Sequence, residues 1–109
     1  MVIRFQKEYL EELYITGKCF DKKHRFQPQV VKKYSMRIDT LTDAPSVEAL
    51  FTYNSLNYEV LSGDKKGVSS IRIDGQYRLE FIVSTEGEPA ITICSIVDIT
   101  NISKAIWHD

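Results

Sequence analysis

The chain has 109 residues, 43% of them hydrophobic and 27% charged, with 14 basic against 15 acidic side chains and a formal net charge of −1. That length suits one two-layer core and that composition an ordinary water-soluble protein, read as a single domain over residues 1–109. Both exclude a membrane span and the broad cationic excess of most nucleic-acid binders, so any nucleic-acid contact has to come from a local basic cluster.

Val2-Ile3-Arg4-Phe5 reads as a short first strand. Arg4, Lys7 and Glu8 interrupt any apolar leader, so no signal peptide is expected and the location is cytoplasmic. A helix follows over about 6–16, with Tyr9, Leu10, Leu13 and Tyr14 on one face and Gly17 as its stop. The basic run Lys22-Lys23-His24-Arg25 reads as a solvated loop. Pro28 suits the first turn of a second helix reaching about Leu41, with Val30, Tyr34, Ile38 and Leu41 spaced for the core. Ala44-Pro45-Ser46 closes that helix, and Ser46 caps a short turn through Leu50.

Strands are predicted near 57–61, 68–73, 77–84 and 90–97, the last two joined by Glu86-Gly87-Glu88-Pro89. The order of one strand, two helices and four strands gives an α+β fold, with the helices on one face of a small, mostly antiparallel sheet. Cys19 and Cys94 have no CxxC neighbour and read as free thiols of a reducing compartment. Two histidines and two isolated cysteines make no zinc set, and there is no glycine-rich phosphate loop, so neither a metal nor a cofactor is expected.

The segment from Gly63-Asp64-Lys65-Lys66-Gly67 through Ser70-Ile71-Arg72-Ile73-Asp74-Gly75-Gln76-Tyr77-Arg78-Leu79-Glu80-Phe81 carries the most information. Ile71 and Ile73 alternate with Ser70 and Arg72, and Tyr77, Leu79, Phe81 and Val83 with Arg78 and Glu80, so each run has one buried face. For both apolar sets to share a core, odd positions must pair with odd ones. That requires an odd loop, Asp74-Gly75-Gln76, and sets Arg72 opposite Arg78 on the polar face. Like charges paired across strands cost up to roughly 1 kcal/mol, so either carboxylates such as Glu80, Glu59 and Asp74 neutralise them or an anionic ligand does. Opposed arginines suggest a phosphate site.

This hairpin resembles the HigB branch of the RelE/ParE toxin superfamily. So do Tyr9-Leu10-Glu11-Glu12-Leu13-Tyr14, Lys22-Lys23-His24-Arg25-Phe26-Gln27-Pro28, Asn54-Ser55-Leu56-Asn57-Tyr58-Glu59-Val60-Leu61 and Thr92-Ile93-Cys94-Ser95-Ile96-Val97-Asp98, which extends the likeness over nearly the whole chain. The resemblance implies two N-terminal helices packed on a small curved sheet whose concave side is the active face. It implies a type II toxin that cleaves mRNA on the ribosome without a metal and inhibits translation. A helix-turn-helix, HigA-like antitoxin restrains such a toxin, and DNA is reached only through that antitoxin.

The resemblance assigns Arg72 and Arg78 to the scissile phosphate, with Lys65, Lys66, Tyr77 and Lys104 contacting RNA. Two departures stand out. Where relatives carry a proton-transferring His-Tyr pair this chain has Ile102-Ser103, and Ser62 replaces the lysine that often precedes Gly-Asp. His108, beside Trp107, is the remaining candidate proton carrier. The alternatives are a catalytically impaired homologue serving as an antitoxin-binding module and, more remotely, a ParE-like inhibitor of gyrase.

Overall fold

The computed structural model describes residues 1–19, 22–86 and 94–104. Two helices, α1 (Glu8–Thr16) and α2 (Pro28–Asp43), accompany five strands: β1 (Val2–Phe5), β2 (Glu59–Val60), β3 (Ser69–Arg72), β4 (Tyr77–Glu86) and β5 (Cys94–Lys104). Pro28 opens α2 with its fixed φ. Gly17 ends α1 in the left-handed region (φ 74°), its N–H bonded to the Leu13 carbonyl at 3.0 Å. Ser46 Oγ accepts the Ala49 N–H at 3.4 Å, although Val47, one residue on, holds the capping position of the 3-10 turn Glu48–Thr52.

The strands form one mixed sheet in the order β1-β5-β4-β3-β2. Only the β1–β5 pairing is parallel among the described strands. Leu10 and Leu13 of α1 and Val30, Tyr34, Ile38 and Leu41 of α2 share a core with Ile71, Leu79, Phe81, Val97 and Ile99 of the sheet. The Tyr34 hydroxyl, fully buried, ties the helices together by donating to the Leu10 carbonyl at 2.7 Å, and burial drives its pKa well upward.

The hairpin has the register that parity demands. Ile71 pairs with Leu79 and Arg72 with Arg78, leaving Asp74, Gly75 and Gln76 as the loop. The Asp74 carboxylate accepts the Gln76 and Tyr77 N–H groups, each at 2.8 Å, and so stands in for backbone acceptors.

The last strand differs from the expectation of 90–97: it runs from Cys94 to Lys104, and residues 90–93 lie outside the described part. A bulge hid its continuation. Phe81 pairs with Ile99 and Glu80 with Asn101, so Thr100 is the extra residue and period 2 breaks there. Thr100 Oγ1 donates to the Glu80 carbonyl at 3.1 Å. Beyond the bulge, Ile102 is buried opposite Leu79.

Candidate active site

Two cross-strand rows make up the polar side of the sheet. Glu59, Ser70, Glu80 and Asn101 form one across β2, β3, β4 and β5, and Arg72, Arg78 and Ser103 form the next across β3, β4 and β5. Row and neighbour are joined through Glu80. Its carboxylate accepts from Lys65 Nζ at 2.8 and 3.1 Å, from Arg78 at 3.1 Å and from Asn101 Nδ2 at 3.2 Å. Its side chain is only 4% exposed, against 20% for Arg78 and 45% for Lys65. Burial alone would raise the carboxyl pKa. The hydrogen bonds from Lys65 and Asn101, with the charges of Lys65 and Arg78, outweigh that and hold it below the usual carboxylate range.

Lys65 reaches Glu80 because the Gly63–Lys65 turn is bracketed by Gly63 (φ 71°) and Gly67 (φ 88°). Left-handed backbone at both ends folds the loop over the sheet at positions where a side chain would be strained. Between this loop and β4 lies an open cleft of about 480 Å³, lined by Glu59, Asp64, Lys65, Arg78 and residues 60–62. Lys66 is exposed and lies outside that lining.

Arg78 is fixed twice: Nε donates to Ser103 Oγ at 3.0 Å, and the guanidinium binds Glu80. Arg72 donates from Nε to the Asp74 carbonyl at 3.3 Å, while its own carbonyl accepts Arg37 Nε at 2.7 Å. Burial, then the Arg72 charge, lowers the Arg37 pKa. The structure therefore gathers Arg72, Arg78 and Lys65 at one face. Tyr77 alternates with the core set instead, its ring edge-on to Phe26 at 5.3 Å. Lys104, exposed, pairs with Tyr77 at the end of β5. His108 lies outside the described residues.

Sequence reading missed the part played by four residues. Glu80 reads as one of several surface neutralisers, yet it is buried. Asn101 and Ser103 fall beyond the expected end of β5, yet they face Glu80 and Arg78. Tyr9, on α1, sends its hydroxyl to Asn101 Oδ1 at 3.4 Å and stacks on His24 with ring centroids 3.7 Å apart. Alternation in Asn101-Ile102-Ser103 was the available signal, masked by the preceding bulge.

Residues 3–91 match the family described as the RelE-like toxin of the type II toxin–antitoxin system HigB. The chain belongs to that family. Toxin HigB-1 of Vibrio cholerae is 34% identical over 82 residues, spanning 74% of this chain and 82% of that toxin. A YoeB/ParE toxin from Agrobacterium tumefaciens has a similar fold at 18% identity (TM-score 0.60; 97% of this chain and 100% of that one covered). So does a YafQ variant from E. coli at 13% identity (TM-score 0.50; 94% and 90% covered). The family match ends before β5, so Asn101, Ile102 and Ser103 lie beyond it. Among the described residues no helix is long and apolar enough to cross a membrane.

Proposed function

We propose that this HigB-family toxin is a ribosome-dependent endoribonuclease, with Arg78 as the residue that holds the scissile phosphate. The observation that carries the reading is the fixed guanidinium of Arg78, clamped by Ser103 and Glu80 beside Lys65 and opposite Arg72. In such cleavage an RNA 2′-hydroxyl attacks the adjacent phosphorus and the P–O5′ bond breaks, leaving a 2′,3′-cyclic phosphate and a 5′-hydroxyl. Negative charge accumulates on the phosphoryl oxygens in the transition state, and positive groups already held in place stabilise it without reorganising. Arg78 and Arg72 supply that charge, Lys65 and Lys66 hold flanking phosphates, and Tyr77 and Lys104 act from the rim. The polar face bearing the arginines is the concave one on this reading, with both helices behind it. Proton transfer falls to His108.

The family supports a cognate antitoxin as partner; on this reading it is a HigA-like helix-turn-helix protein, the other partners are the ribosome with its mRNA, DNA is reached only through the antitoxin, and the location is the cytoplasm. Inducing the chain without antitoxin and mapping mRNA ends tests the reading. Growth arrest with translation-dependent cuts, both removed by Arg78→Ala, supports it; arrest with intact mRNA and altered DNA supercoiling favours a gyrase inhibitor.

One observation favours a second reading. At the two positions that the resemblance assigns to a His-Tyr pair, Ile102 is buried on the core side and Ser103 offers Arg78 only a hydroxyl. Neither titrates near neutral pH, and a general acid or base is worth roughly 10²–10⁴ in rate. A chain without that contribution would bind its antitoxin yet leave growth unaffected.

A further inference from the structure

β1 ends at Phe5, whose partner on β5 is Ile99. The Asn101–Lys104 part of β5 thus extends past its strand neighbour on the outer side, at the end that carries Ser103 and, across it, Arg78. The chain between α1 and α2 is fastened there by two ring contacts. His24 stacks nearly parallel on Tyr9, interplanar angle 10°, and the Tyr9 hydroxyl reaches Asn101. Two residues on, Phe26 meets Tyr77 edge-on, and Tyr77 pairs with Lys104.

Between and around these anchors, the turn Lys22–His24 and the following Arg25 leave Lys22, Lys23 and Arg25 exposed. Four basic residues, these three and Lys104, therefore lie toward the end of the sheet where β5 carries Asn101 and Ser103, the turn being held there by Tyr9 and Tyr77.

We propose that Lys22, Lys23 and Arg25 form a second phosphate-contact track for single-stranded RNA, continuous with the Arg78 site across the stretch of β5 that extends past β1. The proposal rests on the reading that the Arg78 face takes RNA, and it says which way the bound strand leaves. A net charge of −1 provides no long-range attraction to a polyanion. Affinity for RNA must then come from local clusters, each contacted phosphate releasing counterions. In the cleft on the other side of Arg78, Glu59 and Asp64 accompany Lys65, so a phosphate held there by Lys65 meets less net positive charge. On the β5 side Lys22, Lys23, Arg25 and Lys104 are exposed, and Tyr9 and His24 give the turn a fixed position. A merely solvated basic turn would leave RNA affinity independent of these three side chains.

The test compares the full-length chain with its Lys22→Gln/Lys23→Gln/Arg25→Gln form, and with Arg25→Gln alone should the triple form fail to fold. The probe is a labelled uridine oligonucleotide of about twelve residues, a length in the range such sites span. Anisotropy titrations over about 50–200 mM salt give the slope of affinity against salt. The triple form is expected to bind several-fold more weakly, with the slope reduced by about two, since each phosphate contact to a single strand contributes about 0.7. On programmed ribosomes it should raise KM while leaving kcat within about twofold, because charge far from the reacting bond contributes equally to ground and transition states. Unchanged affinity and slope would overturn the track, as would a fall in kcat at constant slope. Loss of antitoxin binding alone would overturn it in favour of a protein-docking surface. Because oligonucleotide binding does not require cleavage, a wild-type chain that binds but never cuts would refute the nuclease and leave the track standing.

Discussion

Lys65 and Glu80, fifteen residues apart in the chain, meet at 2.8 Å, and this contact pins a glycine-bracketed loop to the buried centre of the sheet's polar face. Because the same carboxylate also binds Arg78, one anion holds together two cations that would otherwise repel. A bound phosphate would find both already in place. Glu80 thus stands in, before substrate arrives, for part of the negative charge the site is built to receive.

Glu80→Gln should therefore destabilise the fold at neutral pH. Lys65 is half-exposed and screened, so the expected cost is about 1–2 kcal/mol rather than the 3–5 of a fully buried pair. The folded pKa of Glu80 lies below the ordinary carboxylate value, so on acidification the unfolded chain takes up the proton first. The stabilisation is complete above about pH 5 and is lost as pH falls through the folded value. Urea midpoints of wild type and Glu80→Gln should differ at pH 7 and converge as the pH falls through the folded value; a gap independent of pH would mean that the charge is irrelevant.

Ser103→Ala removes the acceptor of Arg78 Nε while leaving Glu80 to hold the guanidinium. Losing one hydrogen bond to a charged group should lower the unfolding free energy by about 1.5 kcal/mol, and a guanidinium held by Glu80 alone should slow cleavage on ribosomes by roughly tenfold through poorer positioning. Equal rates for the two forms would show that Ser103 does not position Arg78.

Tyr34→Phe deletes the hydroxyl that donates to the Leu10 carbonyl between the two helices. A loss of about 1 kcal/mol in chemical denaturation is expected, with antitoxin binding and RNA affinity retained. Leu79→Ala, from the middle of the core, should cost about 2–5 kcal/mol and sets the upper end of the same scale. A Tyr34→Phe loss as large as that of Leu79→Ala would imply a packing role beyond the hydrogen bond.

How far the sequence carries the fold depends on whether local pattern and tertiary placement coincide. The two helices, the hairpin loop at Asp74–Gln76 and the Arg72–Arg78 pairing all follow from periodicity and parity, because the apolar positions can be buried in only one register. The strand after Val97 does not follow from it. Thr100 is inserted at a bulge, and Asn101, Ser103 and Lys104 look like loop composition when read locally. The site divides in the same way. Residue types announce the arginines, whereas the burial of Glu80 depends on a loop folded over it and the reach of Tyr9 to Asn101 on a helix 92 residues away in sequence. The basic run Lys22–Arg25, which composition alone presents as a solvated loop, owes its place near β5 to ring contacts of His24 and Phe26.

The most direct test of the central claim is cleavage of a defined mRNA on purified, programmed ribosomes by the wild-type chain and by folded Arg78→Ala. The account predicts cuts ending in 2′,3′-cyclic phosphate that require the ribosome and fall by at least ~10² in Arg78→Ala, the scale on which one fixed charge donor to a transition state is worth its place. Equal cleavage by the two proteins, or none by the wild type at any ribosome concentration, would contradict it.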